Sequence, residues 1–285
     1  MKNHLSSRDV TVEKHNNINS HPIGVVKPGG EPKLTIRIIG RCNFRCPACS
    51  TFSSPERKGI MRLLDFKRAV DILASERFLG VVNISGGEPT LHPELVAMLS
   101  YISERLLENR VVLFTNGHWV GHPHWRQTLR HLLVETNVLV RFSLDRQHAD
   151  GAVLAEMGSF DKNRFKAIEQ ERFEKARLFL NACLSEGALP AYRFDFAFKG
   201  SEEEAGNYMS VLGEVPLYLI RFRKDPLHRP KELGYFALDL NENNQVLVYP
   251  TLGHLSAGES LGGIDTLPAA LKMNRIALKT KGHIY

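Results

Sequence analysis

The sequence lacks several features that would assign it to a specialised class of protein. No apolar run approaches the roughly 18 residues that span a bilayer, and the first twenty residues contain no apolar stretch typical of a secretory signal. With 22 glycines and 14 prolines among 285 residues, the chain is neither collagenous nor of low complexity. We therefore expect a cytoplasmic globular protein, long enough for one large α/β domain or two small ones.

A dense basic run is also absent, although the 37 lysines and arginines exceed the 31 acidic residues and give a net charge of +6. A spread surplus of this kind favours anionic or polar ligands without requiring nucleic acid. There is no aromatic signature of an RNA-binding domain, and no apolar segment that indicates a membrane.

Cysteine is scarce, but its distribution is uneven. Of four cysteines, three (Cys42, Cys46 and Cys49) fall within eight residues in a C-x3-C-x2-C pattern. In a reducing compartment such crowding indicates a metal site, and thiolates select zinc, copper(I) or iron–sulfur clusters. A four-ligand zinc site would need a distant histidine or Cys183. A cubane cluster on three cysteines would leave one iron open to a substrate or cofactor.

Short apolar runs alternate with amphipathic ones, which predicts parallel strands separated by helices. Strands are predicted at Leu34–Ile39, Val81–Ser85, Val111–Thr115, Val138–Leu144, Tyr192–Phe198 and Leu217–Phe222. Helices are predicted at Asp65–Arg77 (with Asp65 as N-cap), Pro93–Glu108, His122–Glu135, Asp161–Glu186 and Ser201–Leu212. Six such units form either an open doubly wound sheet or an incomplete (β/α)6 barrel, and in both the site lies at the carboxyl ends of the strands.

The chain divides into three parts. Residues 1–32 form a polar arm, residues 33–230 the α/β core, and residues 231–285 a C-terminal extension. In the extension we predict a hairpin from Tyr235–Leu240 and Gln245–Tyr249, a glycine-rich stretch at Gly258–Gly263 and a final helix at Leu267–Lys279.

A second motif, Gly86-Gly87-Glu88-Pro89, follows the second predicted strand. Paired glycines allow positive φ and let a ligand approach the backbone closely. On its own the motif is most often a turn. Its place at the carboxyl end of a predicted strand, one βα unit after the cysteines, favours a binding role.

With these motifs in order, residues 34–225 resemble the radical S-adenosylmethionine (radical SAM) superfamily. The resemblance rests on the cysteine trio, on Gly86–Pro89, on Thr115-Asn116-Gly117 and on Ser143-Leu144-Asp145. It implies an incomplete (β/α)6, partial TIM-type barrel. It also implies that a 4Fe–4S cluster reductively cleaves S-adenosylmethionine (SAM) to a 5′-deoxyadenosyl radical, which abstracts a substrate hydrogen.

The resemblance also implies roles for individual residues. Cys42, Cys46 and Cys49 would hold the cluster. The segment from Ser85 through Gly86, Gly87, Glu88 and Pro89 would bind the methionine amino group, in part through Glu88. Ser143 and Asp145 would contact the carboxylate or ribose, Asn116 would line the pocket, and Phe44 would pack near the adenine.

Outside these motifs, Cys183 and His148 are the candidates for catalysis. Cys183 is either a buried structural thiol or a hydrogen-atom donor, and His148 follows the fourth strand. His118, His122 and His124 follow the third strand, where substrate contact is plausible. The pair Arg221 and Arg223 would suit a carboxylate or phosphate.

The extension resembles a SPASM-like region that has no cysteine of its own, because Pro250-Thr251 stands where one would be expected. We therefore predict a single cluster. The predicted enzyme isomerises, epimerises, eliminates from or cross-links a small molecule or peptide, with flavodoxin or ferredoxin as one-electron donor. Two alternatives stay open: an activase for a glycyl-radical enzyme, and a zinc-bearing nucleic-acid-binding protein.

Overall fold

The computed structural model describes residues 32–47, 49, 51–144, 146–185, 194–199, 220–223, 237–249 and 259–280. Its strands are β1 (Lys33–Ile39), β2 (Val81–Gly86), β3 (Arg110–Thr115), β4 (Leu139–Ser143), β5 (Phe194–Lys199), β6 (Ile220–Arg223), β7 (Ala237–Leu240), β8 (Gln245–Tyr249) and β9 (Glu259–Gly263). Its α-helices are α1 (Leu63–Ser75), α2 (Leu95–Arg105), α3 (Pro123–Glu135), α4 (Arg146–Met157), α5 (Lys162–Ser185) and α6 (Leu267–Thr280). No helix among these residues is both long and apolar enough to cross a membrane.

The strands join in one sheet in the order β6-β5-β4-β3-β2-β1-β7-β8-β9. From β1 to β6 each strand lies parallel to its predecessor. A doubly wound sheet reverses its order at a switch point, whereas this sheet winds in one direction, as a barrel does. The predicted partial (β/α)6 barrel is therefore confirmed.

The core lies between the sheet and the helices that connect its strands. Leu34, Ile36 and Ile38 of β1 are fully buried, as are Phe66 and Val70 of α1. The apolar and β-branched residues of its sequence, KLTIRII, made β1 recognisable as a strand. This packing fixes the carboxyl ends of β1 to β4 at one edge of the sheet.

The C-terminal extension continues the sheet on the other side of β1. Strand β7 pairs in parallel with β1, and β7, β8 and β9 then pair antiparallel. The turn between β7 and β8 therefore lies at the same sheet edge as the end of β1.

Two elements were missed and one local prediction was wrong. Helix α4 was not predicted, because its buried positions are mostly small (Ala149, Gly151, Ala152 and Val153) and a central glycine lowers helix propensity. The glycine-rich stretch contains strand β9, which tertiary pairing with β8 creates. Asp65 is not an N-cap: α1 begins at Leu63, and Asp65 accepts hydrogen bonds from Arg62 at 2.7 and 3.0 Å.

Other element ends differ from the prediction by a few residues. The predicted helix Ser201–Leu212 and the arm, apart from residue 32, lie outside the described residues. The side chains of Arg221 and Arg223 also lie outside them.

Candidate functional site

The three cysteines lie on the loop that leaves the carboxyl end of β1. The Cys42 Sγ accepts a hydrogen bond from the Phe44 backbone N–H at 3.4 Å, and the Cys49 Sγ accepts one from the Ser53 N–H at 3.3 Å. The Thr51 hydroxyl lies 3.3 Å from the Cys49 Sγ. Such N–H contacts to sulfur are among the interactions that tune iron–sulfur clusters.

Cys42 is the most enclosed of the trio. Burial, followed by the charge of Glu88, raises the pKa of the Cys42 thiol to about 12. Cys46 and Cys49 add to this pKa shift, so the three sulfurs are close enough to interact electrostatically. A thiol with this pKa is protonated at neutral pH, and a metal must displace its proton on binding.

Cys46 packs directly against helix α4. The Arg45 backbone N–H donates to the Gly151 carbonyl at 2.9 Å. A Cβ at position 151 would lie 2.5 Å from the Cys46 Sγ and 2.7 Å from its backbone nitrogen. Glycine is therefore the residue that lets helix and loop meet here.

The Gly86-Gly87 pair lies against the end of β1. Gly86 has a φ of 143°, and the Gly87 N–H donates to the Ile39 carbonyl at 2.6 Å. A Cβ at Gly87 would lie 1.9 Å from the Arg41 carbonyl oxygen. The cysteine loop can therefore cross this turn only because both residues lack side chains.

Glu88 lies inside this site and is 1% exposed. Its Oε1 accepts hydrogen bonds from the hydroxyls of Thr90 and Thr115 at 2.7 and 2.8 Å, and its Oε2 accepts from the Asn116 N–H at 2.7 Å. Burial raises the pKa of this carboxyl. Glu88 therefore ties the turn after β2 to the end of β3. Beside it, Pro89 is buried and Ser85 is half-buried.

Asn116 joins the end of β3 to the cysteine loop. Its side-chain Nδ2 donates to the Asn43 Oδ1 at 2.8 Å and lies 3.9 Å from the Cys42 Sγ. Its Oδ1 accepts from the His118 N–H at 2.9 Å. At 5% exposure, this amide shapes the loop more than it lines an open pocket.

Arg172 of helix α5 is a site residue that the sequence did not single out. Its Nη2 donates to the backbone carbonyls of Asn116 at 3.0 Å and Ser143 at 2.7 Å. Its guanidinium carbon lies 5.1 Å from the centre of the Phe44 ring, within cation–π range. One side chain thus connects the ends of β3 and β4 with the cysteine loop. No motif marks it, because it lies among many charged residues on a long helix.

His118 packs beside Phe44, with ring centres 6.1 Å apart, and its ring centre is 5.3 Å from that of His122. Burial lowers the pKa of His118, and the nearby charges of His122, Lys175 and Arg172 lower it further. His124 lies beside Trp125 instead.

The remaining candidates are only partly placed. His148 is half-buried on α4, three residues before Gly151. Cys183 lies in α5, but its side chain is outside the described residues, and so is the whole of Asp145.

The donor set fits an iron–sulfur cluster, which thiolate sulfurs hold. Among the described residues, no three His, Cys, Asp or Glu side chains surround one point that a metal ion could occupy. In a cubane cluster each thiolate binds a different iron, so the sulfurs need to be near one another without converging. Cys42, Cys46 and Cys49 supply three soft sulfur donors, and the sulfurs of Cys42 and Cys49 accept backbone N–H bonds.

Comparison with known proteins agrees with this chemistry. The model of the Radical SAM superfamily matches residues 36–175. The antilisterial bacteriocin subtilosin biosynthesis protein AlbA of Bacillus subtilis is 34% identical over 83 residues, which are 29% of this chain and 18% of AlbA. An S-adenosylmethionine-dependent nucleotide dehydratase of Selenomonas ruminantium is 26% identical over 91 residues, 32% of each chain. The chain spans less than half of the length of the curated relatives it matches.

A solved structure extends the likeness to the fold. Native anSMEcpe with bound AdoMet superposes with a TM-score of 0.52 at 16% identity, covering 86% of this chain and 79% of that one. The match of the family model begins in β1, contains the cysteine trio, the Gly-Gly-Glu-Pro turn and Asn116, and ends just after Arg172. Residues 36–175, which contain these motifs, therefore form a domain of the radical SAM superfamily.

Proposed function

We propose that Cys42, Cys46 and Cys49 hold the 4Fe–4S cluster that this superfamily uses, and that the backbone of Gly86–Pro89 binds SAM beside it. When bound, the reduced cluster would supply the electron for reductive cleavage of SAM to methionine and a 5′-deoxyadenosyl radical, the species that would abstract a substrate hydrogen. The observation that carries this proposal is the contact between the cysteine loop and the glycine pair at one sheet edge.

The neighbouring residues have distinct roles in the proposal. Glu88 fixes the turn that receives the methionine amino group, because its oxygens already accept hydrogen bonds from Thr90 in that turn and from Thr115 and Asn116 at the end of β3. Ser143 and Asp145 bind the carboxylate or ribose of SAM. Phe44, held by Arg172, packs near the adenine.

The substrate is a peptide or a small molecule. The name of AlbA, a bacteriocin biosynthesis protein, and the Cp18Cys peptide bound to anSMEcpe support a peptide. The nucleotide dehydratase, and a GTP 3′,8-cyclase of Microcystis aeruginosa that is 34% identical over 97 residues, support a nucleotide. The net charge of +6 suits an anionic ligand of either kind. We favour a peptide, with isomerisation, epimerisation, elimination or cross-linking as the reaction.

Reduction needs a one-electron donor such as flavodoxin or ferredoxin, and the proposed compartment of the reaction is the cytoplasm. Cys183 is proposed as a hydrogen-atom donor and His148 as a substrate contact.

The test of cofactor chemistry uses the anaerobically reconstituted chain. We expect a brown protein that absorbs near ~400 nm and releases 5′-deoxyadenosine when SAM and dithionite are added. Cys46→Ala should lose both the absorbance and the release, whereas Cys183→Ala should keep the iron. A colourless wild-type protein, or iron retention by Cys46→Ala, would contradict the proposal.

The substrate test compares peptide fractions with nucleoside triphosphates in the same reaction. We expect peptide addition, and not nucleotide addition, to increase 5′-deoxyadenosine release and to yield a mass-shifted or epimerised product. In an epimerisation, Cys183→Ala should release 5′-deoxyadenosine without returning a hydrogen to the product. Stimulation by nucleotides alone would reject the peptide assignment.

A further inference from the structure

The C-terminal extension reaches the cysteine loop through one tight turn. Because β7 is parallel to β1, with Leu240 paired to Ile36, the turn Asn241–Asn244 lies at the edge where the cysteine loop begins. The Asn241 Oδ1 accepts hydrogen bonds from the backbone N–H groups of Asn243 at 3.0 Å and Gln245 at 2.9 Å. These bonds fix the turn, and the turn fixes the direction of Glu242.

The Glu242 side chain is only 2% exposed and forms an ion pair with Arg57, with 2.9 Å between Oε1 and Nη2. Two glycines make room for it. A Cβ at Gly59 would lie 2.4 Å from the Glu242 Cγ, and a Cβ at Gly40 would lie 3.1 Å from its Oε1. The two glycines are also joined to each other, because the Gly40 N–H donates to the Gly59 carbonyl at 2.7 Å.

Arg57 connects Glu242 with the turn that follows Cys49, the third cysteine. Its Nη1 donates to the carbonyls of Thr51 at 2.8 Å and Phe52 at 3.2 Å, in the turn that follows Cys49. The Thr51 hydroxyl in turn lies 3.3 Å from the Cys49 Sγ and donates to the Gly86 carbonyl at 3.0 Å. Phe52 has a φ of 52°, which non-glycine residues rarely adopt. The turn is thus held in an uncommon shape by the guanidinium.

We propose that Glu242 is a positioning residue for the cluster: through Arg57, the C-terminal hairpin holds the turn that places Cys49. The inference rests on the proposed cluster role of Cys49. Arg57 can hold two carbonyls and a carboxylate together because its guanidinium is a planar fork, which a lysine ammonium does not reproduce. Removing the Glu242 charge takes the counter-ion from Arg57, whose side chain is 35% exposed, and so weakens the charged contact between the hairpin and the turn after Cys49.

The experiment compares Glu242→Gln and Arg57→Lys with wild type in the full-length chain. Asp265→Asn is the matched control, because Asp265 also joins the extension to the core, through Arg68, but both side chains are largely exposed and far in sequence from the cysteines. Iron loss to a chelator is timed in the reconstituted proteins. In the metal-free proteins, alkylation of Cys49 is measured by mass spectrometry relative to Cys42 in the same molecule.

Loss of an outer contact of a metal ligand weakens metal binding about 10- to 100-fold. We therefore expect iron loss from Glu242→Gln and Arg57→Lys to accelerate by about that factor, with a raised Cys49 to Cys42 alkylation ratio. Asp265→Asn should match wild type in both measurements. Wild-type behaviour of both Glu242→Gln and Arg57→Lys would overturn the proposal, and so would an equal effect of Asp265→Asn. If wild type bound no iron, the proposed function would fail, while the alkylation ratio would still decide on the Glu242 contact.

Discussion

Replacement of Gly151 by alanine tests how closely helix α4 and the cysteine loop are packed. In an open helix interior, this change stabilises a protein by about 1 kcal/mol because alanine is the better helix former. The structure predicts the opposite sign, since the new methyl group would meet Cys46.

The magnitude follows from three contacts. The added Cβ would lie 2.5 Å from the Cys46 Sγ, 2.7 Å from its nitrogen and 2.8 Å from its Cα, whereas an unstrained contact needs about 3.5–4.0 Å. Overpacking costs about 1–3 kcal/mol, and we take the upper end because two of the three atoms belong to the main chain. After the gain in helix propensity, we expect a net loss of about 2 kcal/mol in the free energy of unfolding.

Urea unfolding of the metal-free protein under anaerobic, reducing conditions measures this loss, and iron content after reconstitution reports the effect on the cluster. Gly158→Ala is the control, since φ there is 73° and no atom lies within 4 Å of the new Cβ. It should cost about 1 kcal/mol through its backbone alone and leave iron binding intact. A Gly151→Ala protein with wild-type stability and iron content would refute the packing argument.

Two further variants test other contacts of the site. Arg172→Gln removes charged hydrogen bonds to the Asn116 and Ser143 carbonyls and the contact with Phe44, so urea unfolding should show a loss of about 2 kcal/mol; no loss would contradict the bridging role. Burial, aided by neighbouring charges, lowers the pKa of His118 below its ordinary 6.5, so its contribution to stability is present above that pH and is lost as pH falls through the lowered pKa. Unfolding measured from neutral to acidic pH should therefore show a smaller loss for His118→Gln than for wild type, and equal losses would contradict this assignment.

The sequence contained most of the α/β core because its strands are rich in apolar and β-branched residues and its helices carry apolar residues at helical spacing. Helix α4 was missed because it buries small side chains around Gly151, which leave no strong periodic signal. Strand β9 was missed because its glycine-rich sequence does not favour a strand on its own, and it becomes one only by pairing with β8 in the folded chain.

The same contrast holds at the site. The cysteine trio and Gly86–Gly87 could be found because their chemistry is local in sequence. Arg172 and Glu242 could not be, because each acts across a long sequence separation through one or two polar contacts. Glu88 was singled out as a ligand contact, while its hydrogen bonds also make it a structural tie between strands.

If Cys42, Cys46 and Cys49 hold the cluster, its fourth iron is open to SAM. Electron paramagnetic resonance of the reduced, reconstituted protein, recorded with and without SAM, tests it most directly. We predict a cluster of about four irons per chain whose spectrum changes when SAM is added. A protein that binds zinc in place of iron, or a cluster spectrum indifferent to SAM, would contradict it.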